Sequence, residues 1–382
     1  MLGWTKPNPK PDSLRCMGAD FDQLRVLAQR AVDDGVVPGM VLGLAQAGQV
    51  RFLDAFGHRQ VDPVVSELAT DAVYDLASLT KAVVTSLLAM RGIGSGIWTL
   101  DDPLHKHLLV LADRPEVTLR RALAHAAGFA AHRPFFEQVL SQGVAPADGR
   151  ERILALAAAE PLTYPPGTRS QYSDLGFMLL GDLVERGLGD CLDVLAERLL
   201  FAPLGLLATG FAGSTACSGP APTERCSVRG RLLCGEVHDL NAFAMGGVAG
   251  HAGLFGNAAD LLTLASALCA AWRDTGPAGG EPLVPAEVLR LFWQPAGIPG
   301  STWRLGWDGP AVSGSLAGDR LSRQAVGHLG FTGCSLWIDP ERETCIVMLT
   351  NFVHPTVRKD PRFRALRPAI NDAALAAIGY RA

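Results

Sequence analysis

Apolar residues recur at helical spacing through residues 19–35 (ADFDQLRVLAQRAVDDG) and predict an amphipathic helix. Two β-like runs follow, MVLGLAQAG and VRFLDAFGHR, and they predict a hairpin with its turn at Gly48 and Gln49. Residues 73–94 begin as a strand and become a long apolar helix. Helical patterns broken by Pro and Gly dominate from about 100 to 245. They include RILALAAAE and LGFMLLGDLVERGL, the second ending near Gly187 and Gly189. Another helix, AADLLTLASALCAAW, is predicted after the glycine-rich stretch MGGVAGHAGLFG. Near the end, WRLGWDG, VGHLGFTGCSLWIDP and TCIVMLTNF read as consecutive antiparallel strands, and PAINDAALAAIGY as a closing helix.

Neither βαβ alternation nor an internal repeat is visible. Helices placed between strands predict an α+β fold: an antiparallel β-sheet flanked by terminal helices, with an all-helical domain inserted. The expected division is a flexible arm over 1–18, an α/β domain over 19–98 and 246–382, and a mainly helical domain over 99–245. Met17 is a candidate start within that arm.

Composition narrows the function classes. The 382 residues are 48% hydrophobic and 19% charged, which suits a packed core and not a disordered chain. A formal net charge of -4 argues against a general nucleic-acid binder. No apolar run reaches the roughly 18 uncharged residues of a spanning helix, and no secretory apolar segment opens the chain. A cytoplasmic protein without a membrane span is therefore expected. The eight cysteines form no C-x-x-C pair and are expected to be free, buried thiols. His105 and His107, and His238 beside Asp239, are the best local metal-like groupings. There is no H-E-x-x-H, and a two-residue spacing suits a helix face poorly, so no metal is expected. The glycine-rich stretch is not a phosphate loop, and no cofactor is expected.

The basic residues are lopsided: five lysines stand among 34 Lys plus Arg. One of them, Lys81, follows Ser78 by three positions at the start of the long apolar helix, so both project from one face. A serine hydroxyl needs an adjacent base to act as a nucleophile, and a lysine whose ammonium is destabilised can serve. Tyr172-Ser173-Asp174 lies just before another helix, where a phenol can shuttle a proton and Asp174 can cap the helix. His328-Leu329-Gly330 falls on a predicted strand, where Gly330 admits a close backbone or ligand. The Phe331 and Ser78 N–H groups would then form the two halves of an oxyanion hole. His125 is expected to fix a loop near this site. The charged group Glu224, Arg225, Arg229, Arg231, Glu236, His238 and Asp239 is either a cleft lining or a solvated loop.

S-x-x-K, then Y-x-(N), then an H-x-G strand resembles the serine β-lactamase and penicillin-binding protein superfamily, in its class C β-lactamase, DD-carboxypeptidase and esterase branch. The stretches TLDDPLHKHL, LRRALAHAAGF, LFAPLGL and the closing GFTGCSLWIDPERETCIVMLTNFVHP are similar to the same family, over about residues 20–375. The resemblance implies a β-lactamase/transpeptidase-like fold with a site between sheet and helical parts. It also implies an acyl-enzyme on Ser78, with Lys81 and Tyr172 sharing the proton work on a small-molecule or peptide substrate. Asp174 and His328, Gly330 and Phe331 would line the substrate. The family often works outside the cytoplasm, so the periplasm stays open. Two departures stand out. Asp174 replaces an asparagine and cannot donate when ionised, and Leu329 replaces a Thr or Ser hydroxyl that helps hold a carboxylate. These weaken the β-lactamase reading and leave D-amino-acid peptide or ester hydrolysis. A catalytically idle module that binds a cell-wall fragment or a partner is the alternative of another class.

Overall fold

A computed structural model describes residues 20–143, 146–211, 219–276 and 280–380. The arm over 1–18, with Met17 and Cys16, lies outside them, as does Cys217. The first helix, α1 (Asp22–Asp33), buries Leu24, Ala28 and Ala31, which sit four and three residues apart on one face. Strands β1 (Gly39–Gln46) and β2 (Gln49–Gln60) form the predicted hairpin. The turn falls one residue earlier than expected, at Ala47 and Gly48. Both have positive φ (49° and 74°), the sign a two-residue turn needs to match strand twist.

Short strands β3 (Ser66–Glu67) and β4 (Tyr74–Asp75) precede the segment that carries Ser78. There the backbone takes a π-helical turn over Lys81–Ser86 before α2 (Leu87–Gly94). The helical stretch then holds α3 (Leu119–Leu123), α4 (Phe135–Ser141), α5 (Pro146–Ala159), α6 (Asp174–Leu188) and α7 (Leu192–Ala196). Strand β5 (Gly210–Phe211), the pair β6 (Arg225–Cys226) and β7 (Arg231–Leu232), and α8 (Leu240–Ala244) follow. The chain continues with β8 (Leu254–Gly256), α9 (Ala258–Trp272) and α10 (Ala286–Phe292). It closes with β9 (Val326–Leu329), β10 (Ser335–Asp339), β11 (Thr344–Thr350) and α11 (Pro361–Ala377).

The main sheet runs β3-β2-β1-β11-β10-β9 and is antiparallel throughout. Side-chain alternation divides its core in two. Met40, Leu42, Leu44, Ile346, Met348 and Trp337 point to one side, where α1 and α11 bury Leu24, Phe363, Leu366 and Ile370 against them. Val41, Ala45, Val347, Leu349, Leu336 and Ile338 point to the other side, into the core that α9 and the helical stretch share. Burial on both faces explains why β1, β10 and β11 read as near-continuous apolar runs instead of alternating ones.

Three expectations need correction. Residues 303–309 are not a strand: they make only a bridge, Asp308 to Gly327. Gly306, at φ 78°, turns the chain there so that it can lie against Ser86 of the helix that follows Ser78. The predicted single strand over 326–340 is two strands, β9 and β10, reversing through Gly330 to Cys334. Among the described residues the thiols are free, but Cys191 and Cys234 are exposed while Cys226, Cys269, Cys334 and Cys345 are buried. Among the described residues no helix is long and apolar enough to cross a membrane.

Candidate active site

The segment that carries Ser78 is bent before it becomes helical. Ala77 holds φ at 48°, a left-handed conformation that costs a non-glycine residue about 1–2 kcal/mol. Buried Asp75 secures the bend: its Oδ1 accepts from the Ala77 N–H at 2.8 Å, and its Oδ2 accepts from the His238 N–H at 2.6 Å. Thr80 Oγ1 donates to the Ala77 carbonyl at 2.6 Å. The result sets Ser78 at the mouth of the turn and Lys81, wholly buried, one turn deeper.

The Lys81 ammonium has three hydrogens and meets three acceptors. They are Ser78 Oγ at 3.0 Å, the His251 carbonyl at 2.9 Å and Asp174 Oδ1 at 2.8 Å. Tyr172 brings its hydroxyl to Ser78 Oγ at 2.7 Å, and its ring faces Lys81 Nζ at 4.9 Å. Burial, the largest single influence, pushes Lys81 down, but the charge of Asp174, the Tyr172 oxygen and the hydrogen bonds to both together outweigh it, and the pKa is raised. Burial likewise raises Tyr172, against the opposing pull of Lys81. Burial also works against the Asp174 carboxylate, yet the Lys81 charge and a hydrogen bond from His132 hold its pKa below the ordinary carboxylate value. At neutral pH the site therefore rests as ammonium, phenol and carboxylate.

Tyr172 is held in place through His125, itself in a left-handed conformation at φ 54°. The His125 carbonyl accepts from the Gln171 N–H at 2.8 Å and the Tyr164 hydroxyl at 2.9 Å. Its Nδ1 accepts from the Ser173 N–H at 3.1 Å, so the ring proton sits on Nε2. Ser173 and not Asp174 caps α6, its Oγ accepting from the Gly176 N–H at 3.2 Å. Asp174 is thereby the first residue of the helix, at the positive end of its dipole, which suits its charge.

The third segment arrives from β9. His328 is buried, its Nδ1–H donating to the Leu329 carbonyl at 2.9 Å. Gly330 lies one residue past the strand's end, where a Cβ would sit 2.7 Å from the Leu76 carbonyl oxygen. Only a glycine lets this reversal touch the segment leading to Ser78. Phe331 follows and is 61% exposed. Among the described residues, neither the Ser78 nor the Phe331 N–H donates to another protein group. Trp303 packs against the rings of His125, Tyr172 and His328 at 4.4–5.6 Å and borders a cavity of about 180 Å³ with Arg169, Ser170 and Thr302. A larger cavity of about 320 Å³, between α1 and α11, contains none of these groups.

Ser78, Lys81, Tyr172 and Asp174 thus meet directly, with His328 and Gly330 beside them. Neither His132 nor His251 is singled out in the sequence, while Asp239 belongs to the charged group read as a cleft lining or a solvated loop. His132 Nδ1 lies 3.3 Å from Asp174 Oδ2, and His251 Nε2 lies 2.9 Å from Asp239 Oδ1. No spacing in the sequence marks His132 or His251, because each comes from a separate loop. Of the charged group over 224–239, Arg231 pairs with Glu236 at 2.6 Å and His238 lies 3.3 Å from Glu224. Among the described residues no group of His, Cys, Asp or Glu is arranged to hold a metal ion.

The site also sets an acid limit on stability. Burial, and then the Lys81 charge, bring the His328 pKa down to about 3, and burial lowers His125 as well. Unfolded, a histidine titrates near 6.5, so between pH 6.5 and 3 the unfolded chain binds more protons. The stability tied to neutral His328 is present above pH 6.5 and is lost as pH falls toward 3. His328→Gln is expected to flatten the fall of the urea midpoint between pH 6.5 and 4. Equal slopes for variant and wild type would contradict this.

Residues 24–369 match the family model described as Beta-lactamase. A protein of Escherichia coli O157:H7 named as a D-alanyl-D-alanine carboxypeptidase is 31% identical, covering 90% of this chain and 84% of the relative. A Bacillus subtilis (strain 168) protein named N-acetylmuramyl-L-alanine amidase is 30% identical over 84% of this chain and 78% of its own. Among solved structures, EstCE1, described as a hydrolase with promiscuous acyltransferase activity, superposes with a TM-score of 0.69 at 23% identity, covering 92% and 97% of the two chains. A penicillin-binding protein homologue from Caulobacter crescentus gives 0.69 at 20% identity, covering 94% and 97%. At these identities the structural likenesses show the fold.

Proposed function

The chain belongs to the β-lactamase family and is a serine hydrolase, and from that premise we propose that it is a penicillin-binding-protein-like D-amino-acid peptidase working through an acyl-enzyme on Ser78. The observation that carries this reading is the meeting of Ser78 Oγ with Lys81 Nζ at 3.0 Å and the Tyr172 hydroxyl at 2.7 Å. Relatives named as carboxypeptidase and amidase support cleavage of an amide. The site would lie where the α/β part (19–98 and 246–382) meets the mainly helical part (99–245).

Both Lys81 and Tyr172 hold protons at rest, so the reactive form carries one proton fewer on that pair. The pair titrates as a unit. In that form it takes the Ser78 proton as Oγ bonds to the substrate carbonyl carbon. The carbonyl oxygen becomes an anion facing the Ser78 and Phe331 N–H groups. Collapse breaks the C–N bond, and the pair returns its proton to the leaving amine. Water then cleaves the acyl-enzyme by the same path. Asp174 keeps Lys81 oriented, and His328 and Trp303 form a wall beside Tyr172.

One observation favours a carboxylesterase as the second reading. Leu329 offers no hydroxyl to a substrate carboxylate at the end of β9. The test is a substrate panel on wild type and Ser78→Ala, with a fluorophosphonate adduct mapped by mass spectrometry. The expected result is turnover of a D-alanyl-D-alanine peptide and an adduct on Ser78 that the variant lacks. Equal labelling of the two would end the acyl-enzyme reading. Short p-nitrophenyl esters turned over without the peptide would favour the esterase. Nitrocefin turned over faster than either would favour a β-lactamase. Ligand binding without any turnover would favour an idle binding module.

A further inference from the structure

Asp174 makes the site unusual, because its carboxylate has two oxygens facing two different bases. Oδ1 lies 2.8 Å from Lys81 Nζ, and Oδ2 lies 3.3 Å from His132 Nδ1. The Asp174 side chain is 17% exposed and that of Lys81 fully buried, whereas His132 is 48% exposed. The imidazole is thus the member of this chain of three that opens to solvent.

The loop that carries it is fastened on both sides. Ahead of it, the Ala131 carbonyl accepts from the Asp174 N–H at 2.9 Å, and Ser173 Oγ donates to the Ala130 carbonyl at 2.7 Å. Behind it, the Asn241 amide donates to the Arg133 carbonyl at 2.8 Å, and Arg133 pairs with Glu160 at 2.6 Å. The ring is held against Asp174 by the same loop that seats α6.

We propose that His132 is a positioning residue for Lys81 that acts through Asp174. Its Nδ1–H fixes Oδ2 so that Oδ1 faces the ammonium, and its charge state sets how much of the carboxylate's charge Lys81 receives. This rests on the reading of Ser78 as the acylated group and Lys81 as its proton partner.

The groups facing His132 and Asp174 are Lys81 from the helix after Ser78, Asp239 from the start of α8 and His251, whose carbonyl also lies on Lys81; Tyr172, from the loop before α6, faces Lys81. The hydrogen bond to Asp174, and then that carboxylate's charge, raise the His132 pKa above its ordinary value. Below it, an imidazolium draws charge from Asp174 and eases Lys81 toward its neutral form. Above it, the neutral ring still donates, but the carboxylate acts on Lys81 undivided. Asp239 accepts a hydrogen bond from His251 Nε2 at 2.9 Å, which turns that carboxylate oxygen toward His251.

The experiment follows the rate at which a neutral fluorophosphonate phosphonylates Ser78 across pH 5–10. In that step the Oγ–P bond forms, fluoride leaves and the Lys81–Tyr172 pair takes the proton. The proteins compared are wild type, His132→Ala, His132→Asn, Asp174→Asn and the double variant His132→Ala/Asp174→Asn. His132→Ala is expected to slow labelling roughly 10- to 100-fold, as loss of orientation does in other enzymes. His132→Asn, which keeps a neutral donor, is expected to restore most of the rate but to lose the inflection in the histidine range. In the Asp174→Asn background the loss of His132 is expected to add nothing. Full additivity of the two changes, or superimposable pH profiles for wild type and His132→Ala, would overturn the proposal.

A second readout needs no labelling. The His132 ring titration, followed by NMR, is expected to be raised in wild type and in Ser78→Ala, and to drop in Asp174→Asn. If Ser78 is never labelled, the acyl-enzyme reading fails while this titration still decides the coupling. An unmoved titration in Asp174→Asn would overturn the coupling by itself.

Discussion

Lys81→Met is expected to lose activity and stability together. Activity falls because the Ser78 proton has lost half of its acceptor pair, a loss of roughly 10²–10⁴-fold for a positioned acid–base group. Stability falls because the Asp174 carboxylate stays buried without its cation. Breaking a buried pair by removing one partner costs about 3–5 kcal/mol, since the remaining charge is uncompensated. His132 relieves part of this, lying 3.3 Å from the free oxygen. The check is a urea melt at pH 7 beside a phosphonylation rate. Lys81→Met/Asp174→Asn is then expected to recover most of the stability and none of the activity. A single variant as stable as wild type would mean that the Lys81–Asp174 contact does not carry the charge balance derived from it. Recovery of activity in the double variant would remove Lys81 from the proton path.

The second large effect lies at Gly250, inside the glycine-rich stretch. A Cβ here would run into the Phe177 carbonyl and, at 2.8 Å, into the Gly181 backbone of α6. Backbone meets backbone, so no flexible side chain can yield. The Gly250 carbonyl accepts from Thr85 Oγ1 at 2.6 Å, and the next carbonyl, of His251, holds Lys81 Nζ at 2.9 Å. Forcing this crossing apart moves an acceptor off the active-site lysine. Gly250→Ala is expected to cost about 3 kcal/mol, the upper part of the range for overpacking, and to slow phosphonylation of Ser78. Gly176→Ala is the control. Its Cβ would meet Phe129 at an ordinary 3.4 Å within α6, and removing a helical glycine there is expected to stabilise by about 0.5–1 kcal/mol. Equal stability for Gly250→Ala and wild type would show that the two backbones have room to separate.

Much of the fold is legible in the chain because local patterning matches tertiary burial. The helix over 258–272 coincides with α9, and the apolar runs around β1 and β11 are strands buried on both faces. Local pattern misleads where a distant contact decides the backbone. Residues 303–309 look like a strand, but the helix that follows Ser78 claims them, and Gly306 bends to meet Ser86. The stretch 326–340 looks continuous because Gly330 and Gly333 interrupt a run whose two halves are equally apolar.

The candidate site divides in the same way. Ser78 and Lys81 are legible because three residues of one helix turn hold them together, and Tyr172 and His328 because their neighbours resemble a known family's motifs. The partners His132 and His251 are not, since each lies on its own loop, and Asp239 is legible only as one member of a charged group. The sequence by itself determined which groups are available for chemistry: a serine with a lysine one turn away, a tyrosine, and an aspartate where the family has an amide. The tertiary structure alone decided their protonation. It buried Lys81 against the Asp174 carboxylate with three acceptors around the ammonium, and so set a resting form in which lysine and tyrosine both keep their protons. The reason is that a pKa depends on burial and on charges within a few ångströms, and both come from segments far apart in the chain.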